Sequence, residues 1–189
     1  MTSRVKIVGF AGSLRKGSYN RSLLKAALDL VPEDAKLEIL DLDGIPVFNQ
    51  DLEKSPTDKV KEFKAKIREA DAVLVATPEY NYSIPGVLKN AIDQASRPYG
   101  DNALEGKPVA LMGASIGMLG TARAQYHLRQ CCVWLNMFPL NQPEVMVPFA
   151  HEKIDSSGRV TDQKTKDKVK ELLDALVRWT QKLHGNRAD

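Results

Sequence analysis

Cysteine is nearly absent: the 189 residues hold two, Cys131 and Cys132, side by side. Neighbours in a helical pattern point in different directions and cannot form an unstrained disulfide. No zinc spacing exists, and His127, His151 and His184 are scattered without a carboxylate or cysteine at ligand spacing. No metal is therefore expected, and the thiols read as packing residues of a cytoplasmic protein. No apolar run approaches the ~20 residues of a membrane span. The start, Met1, Thr2, Ser3 and Arg4, shows no hydrophobic signal region before the first apolar stretch. Charge of one sign is also lacking: 27 Lys and Arg face 24 Asp and Glu, for a net +3. The basic residues are interspersed with acids, which argues against nucleic acid as a partner. Repeats, low-complexity tracts and linkers are absent, so residues 1–189 read as a single domain large enough to bury its own core.

What is present is an alternation of strand and helix patterns. Strands are expected at residues 4–11, 37–42, 72–76 and 108–114, with a fifth inside 137–147. Helices are expected near 20–32, 86–95, 121–135 and 162–183. Another, capped by Thr57 or Asp58, buries Val60, Phe63, Ile67 and Ala70. Continuous apolar strands between helices argue for a parallel sheet covered on both faces. The fold class is α/β, a doubly wound five-stranded sheet of order 2-1-3-4-5.

The first βα turn is unusual. Gly12, Ser13, Leu14, Arg15, Lys16, Gly17, Ser18, Tyr19 and Asn20 lie between the first strand and its helix. Free N–H groups at a helix start, with the dipole behind them, suit a phosphate. Ser13, Ser18 and Asn20 add side-chain donors, and Arg15 adds a permanent charge. A Walker A loop is excluded because Ser18 stands where its lysine belongs, and the third strand ends in Thr77 and Pro78 rather than an Asp. A dinucleotide fingerprint is excluded because Gly9, Gly12 and Gly17 do not fit G-x-G-x-x-G. A monophosphate loop remains, the flavodoxin solution, in which FMN sits where strand order reverses. The alternative is an ordinary βα turn with capping residues.

Two further loops open on the same edge. After the third strand come Thr77, Pro78, Glu79, Tyr80, Asn81, Tyr82, Ser83, Ile84 and Pro85. Two prolines stiffen this loop, and its amides and tyrosines suit the polar edge and face of an isoalloxazine ring. A plain surface turn is the other reading. After the fourth strand come Ser115, Ile116, Gly117, Met118, Leu119 and Gly120, where glycine allows close backbone approach. Three unusual loops after strands one, three and four point to one shared ligand. The segment from Thr121 carries Arg and Tyr on an incomplete apolar face and reads as either an oligomer interface or an exposed helix.

The motif from Gly12 to Ser18, that from Thr77 to Gly86, and Leu88, Lys89, Asn90, Ala91, Ile92 and Asp93 together resemble the NADPH-dependent FMN reductases, from strand one to about Val147. This group includes quinone, chromate and azo-dye reductases. The resemblance implies a flavodoxin-like fold, bound FMN and NADPH or NADH as donor. It implies that Ser13, Arg15, Ser18 and Asn20 hold the phosphate, that Pro78, Glu79, Tyr80, Asn81 and Tyr82 line the ring, and that Ser115 and Gly117 complete the cradle. It also implies homodimers that pair into homotetramers. The expected function is hydride transfer from NAD(P)H through FMN to quinones, chromate, azo dyes or free flavin, with no catalytic acid, base or nucleophile from the protein. The alternatives are a flavodoxin-type electron carrier and a non-redox nucleotide or phosphosugar module.

Overall fold

The computed structural model describes residues 4–185. The rest of the expected domain, residues 1–3 and 186–189, and with it the reading of Met1, Thr2 and Ser3, lies outside the described residues. The order is β1 (Val5–Ala11), α1 (Tyr19–Leu30), β2 (Ala35–Ile39), a 3-10 turn (Gln50–Leu52), α2 (Asp58–Glu69), β3 (Ala72–Ala76), α3 (Gly86–Ser96) and β4 (Pro108–Ala114). Then follow α4 (Ala122–Trp134), β5 (Phe138–Pro139), β6 (Val145–Val147), α5 (Ala150–Lys153) and α6 (Gln163–Gly185).

Every residue of β3 and β4 is buried, as a central parallel strand covered on both faces requires. The sheet order is β2-β1-β3-β4-β5, all pairs parallel. One face is sealed by α1 and α6, where Leu23, Leu24 and Ala27 meet Leu172, Leu173 and Leu176. The other is sealed by α2, α3 and α4 through Phe63, Ile67, Leu88, Ala91 and Leu128, with Phe10 edge-on to Phe63 at 5.5 Å. Cys132 packs in this second layer, and burial pushes its thiol up to about 12. Both cysteines are free.

Three local differences from the sequence reading have physical causes. The fifth strand position is split: β5 pairs with Pro108 and Val109, and β6 pairs with Met112, Gly113 and Ala114. Both are apolar, so they read as one run, while the polar residues Asn141 and Glu144 between them leave the sheet. β2 starts earlier than expected, since its register follows Val5 to Gly9 of β1. The short α5 carries no helical period long enough to read.

The register fixes the business end of the sheet. Ala11 lies beside Ala76, and Ala76 beside Met112. The ladder continues one residue further, with Gly12 N donating to Ala76 O at 2.9 Å and Thr77 N to Met112 O at 2.9 Å. The loops after β1, β3 and β4 therefore leave the sheet at one level. Close packing here tolerates no side chain at Gly113: a Cβ would stand 1.9 Å from Thr121 Oγ1 and 2.5 Å from Thr77 O. Gly113→Ala is expected to destabilise the protein by about 1–3 kcal/mol or more, read as a lower urea midpoint.

Candidate functional site

The β1–α1 loop ends on Ser18, the N-cap of α1, whose hydroxyl accepts from Arg21 N at 3.5 Å. Ser13 is buried at the loop's base, and its hydroxyl accepts from Arg15 N at 3.4 Å. The amides of Lys16, Gly17, Tyr19 and Asn20 make no hydrogen bond to another protein group among the described residues. They form a run of donors at the positive end of the α1 dipole. Arg15 stands over the Tyr19 ring at 5.4 Å, at the mouth of the loop. Gly12 packs against Leu88 and Pro85, where a Cβ would meet Leu88 Cβ at 3.0 Å. Leu14 is exposed.

Asn20 departs from its expected role as an outward donor. It is 2% exposed, and its side chain is paired with one backbone residue of β4. Nδ2 donates to Ala114 O at 2.9 Å and Oδ1 accepts from Ala114 N at 2.9 Å. The side chain thus fastens the first turn of α1 to the end of β4, while its own backbone N–H stays in the donor run.

The β3–α3 loop is a tight turn. Tyr80 N donates to Ser83 O at 3.0 Å and Ser83 N to Tyr80 O at 2.9 Å. Between them Asn81 and Tyr82 both take left-handed backbone, φ 50° and 67°. Two successive positive φ values define a type I′ turn, and for a tyrosine that conformation is strained. Tyr80 and Tyr82 are exposed at the rim.

The Glu79 carboxylate also departs from expectation, since it is turned to α4 rather than left for a ligand. Oε2 accepts from Arg123 N at 3.0 Å and Ala124 N at 3.2 Å, and Oε1 from Arg123 Nε at 2.6 Å. Two residues not picked out as part of the site complete this junction. Arg123 lies over the Tyr82 ring at 3.7 Å, and His127 Nδ1 is 2.7 Å from Ser83 Oγ. Their spacing of four on one helix face was the available signal.

In the β4–α4 loop, Ser115 N donates to Val147 O at 3.1 Å, and Ser115 Oγ to Gly117 O at 3.2 Å. A Cβ on Gly117 would come no closer than ordinary contact, 3.9 Å from Ser115 Oγ, while Ile116, Met118 and Leu119 are exposed. The structure thus sets Gly12, Ser13, Arg15, Lys16, Gly17, Ser18 and Tyr19 at one sheet edge with Pro78, Tyr80, Asn81, Tyr82, Ser115 and Gly117. A cavity of about 180 Å³ adjoins the first loop on its β2 side, lined by Ser13, Arg21, Asp41 and Leu42 among others. Among the described residues, no three His, Cys, Asp or Glu side chains cluster as metal ligands.

A parallel sheet of order β2-β1-β3-β4-β5, with its loops gathered where the strand order reverses between β1 and β3, is the flavodoxin-like fold. The chain belongs to the family described as NADPH-dependent FMN reductase, whose pattern matches residues 5–152. It is 50% identical over 188 residues to an NAD(P)H-dependent FMN reductase of Pseudomonas aeruginosa, covering 98% of this chain and 100% of the relative. It is 40% identical over 177 residues to a 2-hydroxy-1,4-benzoquinone reductase of a Burkholderia species, covering 94% and 97%. Among solved structures it resembles the flavoenzyme NAD(P)H:(acceptor) oxidoreductase FerB of Paracoccus denitrificans, with TM-score 0.86 and 38% identity over 94% of this chain and 98% of that one. The protein is therefore an FMN-dependent oxidoreductase drawing on NAD(P)H. That sets aside both the electron carrier and the non-redox module.

Asn20→Ala would strand the Ala114 N–H and C=O in a buried place. A loss of about 1–3 kcal/mol is expected, checked by chemical denaturation of the protein without added flavin.

Proposed function

We propose that the three loops hold FMN, with its phosphate on the first turn of α1 and its ring beside the β3–α3 turn, and that the enzyme reduces quinones. The observation that carries this reading is the run of unpartnered amides at Lys16, Gly17, Tyr19 and Asn20, one strand away from the stiff turn at Tyr80–Ser83. These donors fit a phosphate dianion, and Arg15 supplies an exposed positive charge at the same mouth. Ser13 and Ser18 accept from Arg15 N and Arg21 N at 3.4 and 3.5 Å, long contacts that leave both hydroxyl protons free to donate to the phosphate. Once bound, FMN supplies the electron-accepting centre that takes hydride from NADPH or NADH and delivers reducing equivalents to the acceptor.

The chain's part is to bind, orient and exclude water. Asn81, through its side-chain amide and backbone N–H, and the Tyr82 N–H present donors to the ring's polar edge; Pro78, which has no N–H, fixes the backbone at the loop's entry, and Tyr80 and Tyr82 wall the entrance. Ser115 and Gly117 close the third side. Ile116, Met118 and Leu119 are exposed around the opening. An apolar, open rim suits flat conjugated acceptors such as quinones and azo dyes, and free flavin or chromate can reach the same face. The relatives named for quinone reduction support this class. We place the enzyme in the cytoplasm; among the described residues no helix is long and apolar enough to cross a membrane.

The same reading includes self-association, as a homodimer or a homotetramer. On α4, Val133 and Trp134 are each 81% exposed and Tyr126 51%. Exposed apolar and aromatic side chains on one helix are what an interface core uses.

Two measurements test these statements. Arg15→Ala is expected to weaken FMN retention by about tenfold, with added FMN restoring most quinone-dependent NAD(P)H oxidation; retention equal to wild type would count against the phosphate seat. Light scattering is expected to show a dimer or tetramer, and Trp134→Glu to shift it toward monomer. A monomeric wild-type protein would remove the interface reading.

A further inference from the structure

We propose that Glu79 is a positioning residue of the flavin site: from the β3–α3 loop it caps the N-terminus of α4, and so holds the turn against which the ring lies. The proposal rests on the FMN reading above.

The residue at the N-cap position of α4 is Thr121, a good capping type, yet it makes no capping hydrogen bond. Its backbone is left-handed, φ 75° and ψ 22°. That conformation turns the hydroxyl into the core, where it accepts from Gln125 Nε2 at 3.1 Å in the space left by Gly113. The second and third helical amides, Arg123 N and Ala124 N, are the donors a cap would satisfy. Both go to Glu79 Oε2, at 3.0 and 3.2 Å. The other oxygen takes Arg123 Nε at 2.6 Å. The carboxylate is 9% exposed, and a negative group at this helix end is favoured by the dipole.

The next residues along the loop are Tyr80, Asn81 and Tyr82, where the strained turn sits. Strain of this kind persists only where the surroundings over-determine it. Glu79 supplies the tie on one side of the turn, and the Ser83–His127 pair supplies it on the other. The phosphate seat, built from residues 13–20, shares none of these bonds. Loss of the Glu79 cap should therefore disturb the ring's surroundings and spare the phosphate anchor. Glutamine cannot replace the carboxylate, because its amide nitrogen would face a donor wherever it is placed.

The full-length protein carrying Glu79→Gln tests this in two states. Without flavin, amide hydrogen exchange at Arg123 and Ala124 is expected to quicken by about tenfold. With FMN bound, the visible absorption of the flavin is expected to shift and kcat for quinone reduction to fall about tenfold, with FMN affinity changed by less than about threefold. Glu79→Asp keeps the charge but withdraws it by one methylene; it should show the same pattern at reduced size, and it serves should the Gln variant fail to fold. Unchanged exchange at the two amides would overturn the proposal. So would a flavin spectrum and kcat within about twofold of wild type, or a loss of FMN affinity as large as that of Arg15→Ala, which would make Glu79 a direct ligand. Wild-type protein that takes up no FMN would instead overturn the functional reading and the flavin role with it, and the exchange data would still report the cap.

Discussion

Two hydrogen bonds between the side chain of Asn20 and the backbone of Ala114 hold the site together. They join positions 94 residues apart in the chain. Through them the first turn of α1 is set against the end of β4, so the donor run beside that turn has a fixed aim. Both bonds are buried, where an unmade one would cost its full desolvation penalty. The parallel register does the remaining alignment, by bringing Ala11, Ala76 and Met112 level. The aim of these free amides is thus a property of the sheet as well as of their own loop.

The middle loop is built on a different principle. Where the first loop leaves its amides free, the second spends its side chains on shape. Pro78 and Pro85 limit its backbone at both ends, the Tyr80–Ser83 pair closes it, and α4 grips it through Arg123 and His127. Two non-glycine residues in left-handed backbone would relax in a freer loop. Keeping them there makes the loop rigid, which under the proposed reading leaves it nothing to reorganise when a planar ring arrives.

The alternating elements were readable because parallel strands buried on both faces appear as unbroken apolar runs: residues 72–76 and 108–114 are the clearest cases. The donor run of the first loop was readable because it rests on local chemistry, a strand, a glycine-serine turn and a helix start. The roles of Asn20 and Glu79 were not. Each bonds to backbone far along the chain, Ala114 for one, Arg123 and Ala124 for the other, and no local spacing encodes such a partner. Both residues stand inside motifs whose obvious meaning is contact with a ligand. The division of the last strand position was hidden for another reason: apolar Phe138 and Val145 lie on both sides of the break, and composition does not record which rungs of β4 each one meets.

That division has a consequence for the molecule's behaviour among its own copies. A long, flat border strand would expose a continuous row of unsatisfied peptide groups, a template on which a further chain can add itself. Here the β4 flank is covered by a two-residue piece and a three-residue piece separated by a detour. The opposite flank, β2, is five residues long and bears Lys36 and Glu38. Broken length on one border and charged side chains on the other are two of the devices by which an edge strand is kept from pairing with a further chain.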